Sequence, residues 1–307
     1  MSEEKELTRG EQLRRALVYE RKNGWDRLDA EEGAALEAYC TGYKQFLDAG
    51  KTERECVDRA IAQAEAAGFR AYVRGMELKP GDRIYQVNRD KAIMLAVMGR
   101  KGLEHGVNIG AAHIDSPRLD LKQNPLYESD ELGFFKTHYY GGIRKYQWVT
   151  IPLELHGVVA LKNGEVVRVS VGNGPDDPMF TIDDLLPHLA TDQVKKPLGE
   201  AIPAESLNIL VGSRPLRDDE GSDRVKLSVL ELLNRKYGIV EEDFLSAELC
   251  AVPAFRAVDI GFDRSLIGAY GHDDRVCAYA SLAALLQLGT PERTAVCMLA
   301  DKEEIGS

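Results

Sequence analysis

No stretch of the 307-residue chain approaches the roughly 18 consecutive apolar residues of a membrane span. Residues 1–15 are charged where a signal peptide carries an apolar core, so the expectation is a soluble, cytoplasmic protein with no membrane partner. Cysteine is scarce and unpatterned: Cys40, Cys56, Cys250, Cys277 and Cys297 are odd in number, widely spaced and form no CxxC. That excludes a disulfide framework and a thiolate zinc site, and leaves small core residues as their ordinary role. A basic block is also missing. With 39 Lys and Arg against 50 Asp and Glu, the net charge of −11 argues against a nucleic-acid partner. The same balance suits a metal or a cationic ligand, or serves solubility alone. There is no internal repeat and no low-complexity segment. What is present is an ordinary globular composition, 44% hydrophobic and 29% charged, enough for a sizeable core in two domains.

Along the chain, residues 29–48 place Leu36, Tyr39, Cys40, Tyr43, Phe46 and Leu47 at helical spacing, with Gly50 as a stop. Thr52-Glu53-Arg54-Glu55 is a capping box that starts a second helix with Cys56, Ala60, Ile61 and Ala64 on one face. Residues 82–87 and 92–97 read as a hairpin, and 107–112 as a strand that delivers His113 at its end. Near 123 the pattern changes. Residues 136–146 form an aromatic, glycine-rich loop containing His138, and Val149, Ile151, Leu153 and Leu155 then alternate with polar residues in period two. Asn163-Gly164 signals a type I′ hairpin, and 225–237 a helix ended by Gly238. His105, His156 and His188 read as ordinary polar or surface positions. A helix over 275–287, with Val276, Ala280, Ala283 and Ala284 inward, precedes a strand over 294–300. That strand-helix-strand order predicts a crossover between parallel neighbours and sets Asp273 and Glu303-Glu304 on one rim of a sheet.

Three weak signals converge there. His113 followed by Asp115 fits a metal-binding ring whose other nitrogen is held by a carboxylate, or a hydrogen-bonded histidine before a turn. Asp273-Asp274 fits a carboxylate shared by two cations, or plain N-caps. In Glu303-Glu304 one side chain can ligate while the other serves as general base; a solvated loop is the alternative. Taken together on one predicted rim, they favour a two-metal hydrolase. Ser116 and Ser213 lack a His/Asp partner pattern, which argues against a serine hydrolase.

The blocks NIGAAHIDSPRLDLK (108–122), KTHYYGGIRKYQWVTIPLELHGVV (136–159), GAYGHDDRVCAYASL (268–282) and LADKEEIGS (299–307) resemble the M18 family of zinc aminopeptidases, the aspartyl aminopeptidase group in its bacterial branch. The resemblance runs over residues 82–307. It implies an α/β fold: a three-layer zinc-peptidase catalytic domain with a mixed sheet, over 1–122 and 254–307, interrupted by a mainly-β dimerisation domain over 123–253. It implies two zinc ions per active site, with His113, Asp273 and Glu304 as metal ligands, Asp115 orienting His113, and Asp273 bridging. Glu303 becomes the general base that activates water against the first peptide bond. Peptides are the implied substrates, with acidic N-terminal residues preferred and Lys136, Arg144 and Lys145 as candidate basic contacts. The implied assembly is a homo-oligomer, dimers building a dodecamer, with residues 136–171 at a subunit interface. Family members continue past the DKEEIGS block and supply a further acidic ligand and a histidine ligand from that continuation. The chain is therefore expected to be the N-terminal part of a longer protein or a truncated gene product, inactive alone, its last strand leaving one sheet face uncovered. The alternatives are a metallopeptidase of different side-chain preference and a non-catalytic assembly or binding protein.

Overall fold

A computed structural model of the chain describes residues 7–19, 21–218 and 220–305. The chain divides into two units, before and after the Gly42–Tyr43 link. In the first unit, α1 (Arg9–Leu17) is started by a capping box. Thr8 Oγ1 accepts the Glu11 N–H at 3.3 Å and Glu11 Oε2 accepts the Thr8 N–H at 2.7 Å. The helix buries none of its residues. α2 (Ala30–Ala49) begins in this unit with the same device, Asp29 and Glu32 accepting each other's backbone N–H at 2.8 and 3.1 Å.

The second unit opens with the last turns of α2, which bury Tyr43, Phe46 and Leu47. The expected capping box is present at Thr52 and Glu55 and starts α3 (Glu53–Ala66), whose inner face is Cys56, Val57, Ala60 and Ala64. The strands β1 (Arg70–Ala71), β2 (Arg83–Asn88), β3 (Ala92–Val97) and β4 (Asn108–His113) follow. They are joined by β13 (Ala295–Ala300) in a five-stranded mixed sheet of order β1-β2-β3-β13-β4. A second, antiparallel sheet takes all its strands from the intervening chain: β5 (Arg118–Ser129), β6 (Leu132–Tyr140), β7 (Leu153–Ala160), β8 (Val166–Val171), β9 (Ile209–Gly212) and β10 (Ala247–Pro253). Their order is β8-β7-β10-β5-β6-β9. β11 (Val258–Ile260) and β12 (Leu266–Gly268) pair as a separate ribbon. The remaining helices are α4 (Leu198–Ala201), α5 (Arg224–Tyr237, ended by Gly238 at φ +73) and α6 (His272–Gln287).

Each sheet has its own core. Ile93, Leu95, Val97, Cys297 and Leu299 point to one face of the five-stranded sheet, where α3 and α6 pack over them. On the opposite face Met94, Ile109 and Met298 are exposed. The antiparallel sheet centres on Leu119, Leu153, Val159, Ile209, Leu249 and Ala251.

Several sequence expectations change. The strand before α6 lies in the ribbon, so it is not the parallel partner of β13. That partner is β4, with Ala300 level with His113, and β3 runs antiparallel on the other side. Residues 136–140 belong to β6 and are not loop, and the period-two run from 149 becomes strand only at Leu153. The 163–164 hairpin is real, but its turn is not type I′, because Asn163 keeps a negative φ while Gly164 alone sits at +89°. Gly164 N–H donates to Leu161 O and Leu161 N–H to Glu165 O, a type I turn closed by a glycine bulge. In α6 the inner face is Ala278, Tyr279, Leu282 and Leu285, whereas Val276 is exposed. The change of sheet begins at Arg118, ahead of residue 123.

Candidate active site

β4 and β13 are parallel neighbours, so their carboxyl ends emerge side by side. His113 is the last residue of β4, level with Ala300; Ile114 N–H donates to Ala300 O at 2.9 Å, and beyond this bond the two chains diverge into Asp115 and Asp301-Lys302-Glu303-Glu304. The start of α6 reaches the same rim. Asp273 and Asp274 depart from helical φ/ψ, so the regular helix begins at Arg275. Ser116 Oγ donates to Asp273 O at 2.9 Å and ties that departure to the His113 segment.

All five residues singled out from the sequence meet there. His113 Nε2 lies 3.2 Å from Asp273 Oδ1 and 3.7 Å from Glu303 Oε2. On its other side Nδ1 faces two acceptors, Asp115 O at 3.0 Å and Asp115 Oδ1 at 3.3 Å. Nδ1 therefore carries a proton in either charge state; Nε2 donates to Asp273 only when the ring is the imidazolium, and in the neutral ring its lone pair is free for a cation. Asp115 is fully buried, and its Oδ1 and Oδ2 accept the backbone N–H groups of Glu303 and Glu304 at 3.3 and 3.2 Å. Tyr140 donates its hydroxyl to Asp115 Oδ2 at 2.5 Å. Glu304 packs against Gly141, where an added Cβ would stand 3.0 Å from Glu304 Oε2.

The electrostatics follow from this crowding. Burial lowers the His113 pKa, but the Asp115 carbonyl and carboxylate, Glu303 and Asp273 outweigh it and the pKa is raised. Burial alone would lift Asp115, yet the Tyr140 hydroxyl, the two N–H groups and His113 hold its carboxyl below the usual range. Glu304 goes the other way, pushed up by burial and by Asp273, Asp115 and Glu303 despite His113. A rim where one imidazole faces this many carboxylates has more negative charge than its own cations offset. Imidazole nitrogen with carboxylate oxygens is a donor set that zinc accepts, so the residue chemistry fits a divalent cation. Among the described residues, no three His, Cys, Asp or Glu side chains already converge on a common point at metal-binding geometry.

Two clefts open on this cluster. One, of about 820 Å³, is lined by Asp273, His272, Trp148, Phe255, Arg144 and Arg256. The other, of about 530 Å³, is lined by His113, Asp274, Asp301, Lys302 and Glu303. Of the basic residues proposed from the sequence, Arg144 faces the larger cleft, together with Arg256, which sequence reasoning passed over. His272 is held within the fold, its Nε2 3.1 Å from Ile267 O and its Nδ1 2.9 Å from the Tyr43 hydroxyl.

Two supporting residues were also missed. Arg275 is 1% exposed and donates to Ile114 O and Lys51 O, both at 3.1 Å, so the guanidinium clamps the His113 segment from behind. Tyr140, in the aromatic, glycine-rich run of the sequence, is the last residue of β6 and no loop position. His156, read as an ordinary polar position, is fully buried beside Glu55 and Glu154.

The family model described as aminopeptidase I zinc metalloprotease (M18) matches residues 46–307. "Probable M18 family aminopeptidase 1" of Clostridium acetobutylicum is 48% identical over 295 residues, covering 95% of this chain and 63% of its own length. The protein of that name from Thermotoga maritima is 46% identical, again over 63% of its length, so the chain spans under two thirds of these curated relatives. Among solved structures, an M18 family aminopeptidase from Thermotoga maritima superposes with a TM-score of 0.88 at 45% identity, over 94% of this chain and 62% of that one. Aminopeptidase I from Clostridium acetobutylicum gives 0.87 at 46%, over 95% and 65%. No helix among the described residues is long and apolar enough to cross a membrane. On the family match, the extent of identity and the shared mixed α/β fold, the chain belongs to the aminopeptidase I (M18) family of zinc metalloproteases.

Proposed function

We propose that the protein containing this chain is a cytoplasmic, zinc-dependent aminopeptidase that removes N-terminal residues from peptides. The observation that carries the reading is the His113 ring, its Nδ1 proton held by buried Asp115 and its Nε2 turned toward Asp273 and Glu303. His113, Asp273 and Glu304 would hold two zinc ions, with Asp273 shared. Bound zinc supplies Lewis acidity that polarises a carbonyl and lowers the pKa of water. Asp115 keeps the ligand ring in one tautomer and orientation. Glu303, whose side chain is 64% exposed at the mouth of the smaller cleft, takes a proton from the attacking water and returns it to the leaving amine. An acidic side-chain preference is supported by Arg144 and Arg256 in the larger cleft, since a guanidinium pairs with a carboxylate through two hydrogen bonds.

The antiparallel sheet is the inserted dimerisation domain in this reading. A far more distant yeast relative, of 19% identity, is described as a dodecamer, which supports a homo-oligomer here. The test uses the full-length protein with metal analysis and a panel of aminoacyl-nitroanilides carrying Asp, Glu, Leu and Lys. Glu303→Gln is expected to lower kcat by about 10²–10⁴-fold with zinc retained. Full activity of that variant, or a purified protein that takes up no zinc, overturns the reading.

A further inference from the structure

Asp115 is the hub of the rim, and one of its supports comes from the other sheet. Its two oxygens face four donors: His113 Nδ1 and Glu303 N–H on Oδ1, Glu304 N–H and the Tyr140 hydroxyl on Oδ2. Three of these come from the end of β4 and from the segment that follows β13. The fourth is the last residue of β6, in the antiparallel sheet. It is also the shortest contact of the set, 2.5 Å against 3.2–3.3 Å.

The Tyr140 ring is itself fixed. It is 5% exposed and is contacted by two cations, the Arg118 guanidinium 4.2 Å and the Lys302 ammonium 4.7 Å from its centroid. Arg118 is anchored in turn by Glu53 and by Asp120, each at 2.8 Å. Lys302 stands at φ +74, immediately before Glu303, so the ring contact also seats the turn that presents the two glutamates. Burial, and the Asp115 acceptor, push the phenol pKa well up, which keeps the hydroxyl a donor throughout the working range.

We propose that Tyr140 is a positioning residue of this site: by fixing Asp115 through Oδ2 and Lys302 through its ring, it sets the orientation of His113 and the Glu303-Glu304 turn. Its consequence for catalysis rests on the zinc-peptidase reading; the positioning of His113 does not. Tyr140→Phe removes only the hydroxyl and keeps the ring against Arg118 and Lys302.

In the full-length protein this variant is expected to melt within a few degrees of wild type and to bind zinc about 10–100-fold more weakly, by competition with a chromophoric chelator. Its kcat should fall more than its KM changes. In metal-free protein, the ¹⁵N resonances of His113, assigned with His113→Gln, should move away from the Nδ1–H pattern. Unchanged zinc affinity and unchanged His113 resonances, with His113→Gln abolishing zinc binding, would overturn the role of Tyr140 and leave the peptidase reading standing. If Tyr140→Phe shifts the His113 resonances while the wild-type protein binds no zinc, the peptidase reading falls and Tyr140 stands as the positioning group. A loss of zinc affinity matched by a collapse in melting temperature would count against positioning and for a merely structural ring.

Discussion

A fully buried carboxylate with a donor on every face tolerates no donor in its place. Asp115→Asn sets an amide NH₂ against either the Tyr140 hydroxyl and Glu304 N–H or the His113 Nδ1–H and Glu303 N–H, whichever way it turns. A loss of about 1–3 kcal/mol is expected in urea unfolding. Gly141 is constrained from two directions, by a φ of +70 and by Glu304, which stands where a side chain would begin. Gly141→Ala is expected to cost about 1–2 kcal/mol in backbone strain and to displace the Glu304 carboxylate, lowering kcat/KM by about 10-fold or more. Residues such as His113 and Glu303-Glu304 were legible because they sit at the ends of apolar strand-like runs, where a titratable side chain is conspicuous. Tyr140 and Arg275 were not, because what they do depends on which distant segment they meet, and nothing in the neighbouring residues encodes that.

Among the elements, helices with a sharp local start or stop are legible in the sequence. The Thr52 and Glu55 box and the Gly238 stop are local chemistry, and local chemistry survives folding. The inner face of α6 was misread for a plain reason: residues 276–286 are almost all apolar or small, so no stripe stands out. The parallel partner of β13 was misassigned because the intervening chain builds a ribbon that never enters the sheet.

The link between α3 and β7 was invisible in sequence and carries a pH dependence. His156 Nδ1 lies 2.7 Å from Glu55 Oε1, while its Nε2 lies 3.6 Å from Glu154 Oε1, an ion pair without a hydrogen bond. Burial lowers the imidazole pKa, but Glu154 and Glu55 outweigh it and push it up to about 9. A pKa raised in the folded state adds stability that is fully present below the unfolded value near 6.5 and is lost as pH rises through about 9. Unfolding free energy is therefore expected to decline across that window by about 3 kcal/mol. In His156→Gln that decline should be absent when the same pH series is repeated. Arg275→Met, which leaves the Ile114 and Lys51 carbonyls without their donor, should loosen the His113 segment and cost about 2–4 kcal/mol in urea unfolding.

At the scale of the whole molecule, the mixed sheet and the antiparallel sheet were both legible as a change of pattern near residue 123, although the change begins at Arg118. If the antiparallel sheet is a dimerisation domain, the full-length protein should run well above its monomer mass in light scattering, with residues 136–171 protected from hydrogen exchange in the assembly. The placement of β13 between β3 and β4 bears on how the molecule is made. Those two strands leave the ribosome early and have no hydrogen bonds to each other; the strand that joins them is separated from β3 by 197 residues, counted from Val97 to Ala295. At about 5–20 residues per second, both inner edges stay open for roughly 10–40 s of synthesis. Throughout that interval the nascent chain presents two unsatisfied strand edges, so ribosome-bound chains that stop before Ala295 should recruit a holdase chaperone that chains reaching beyond Ala300 no longer need.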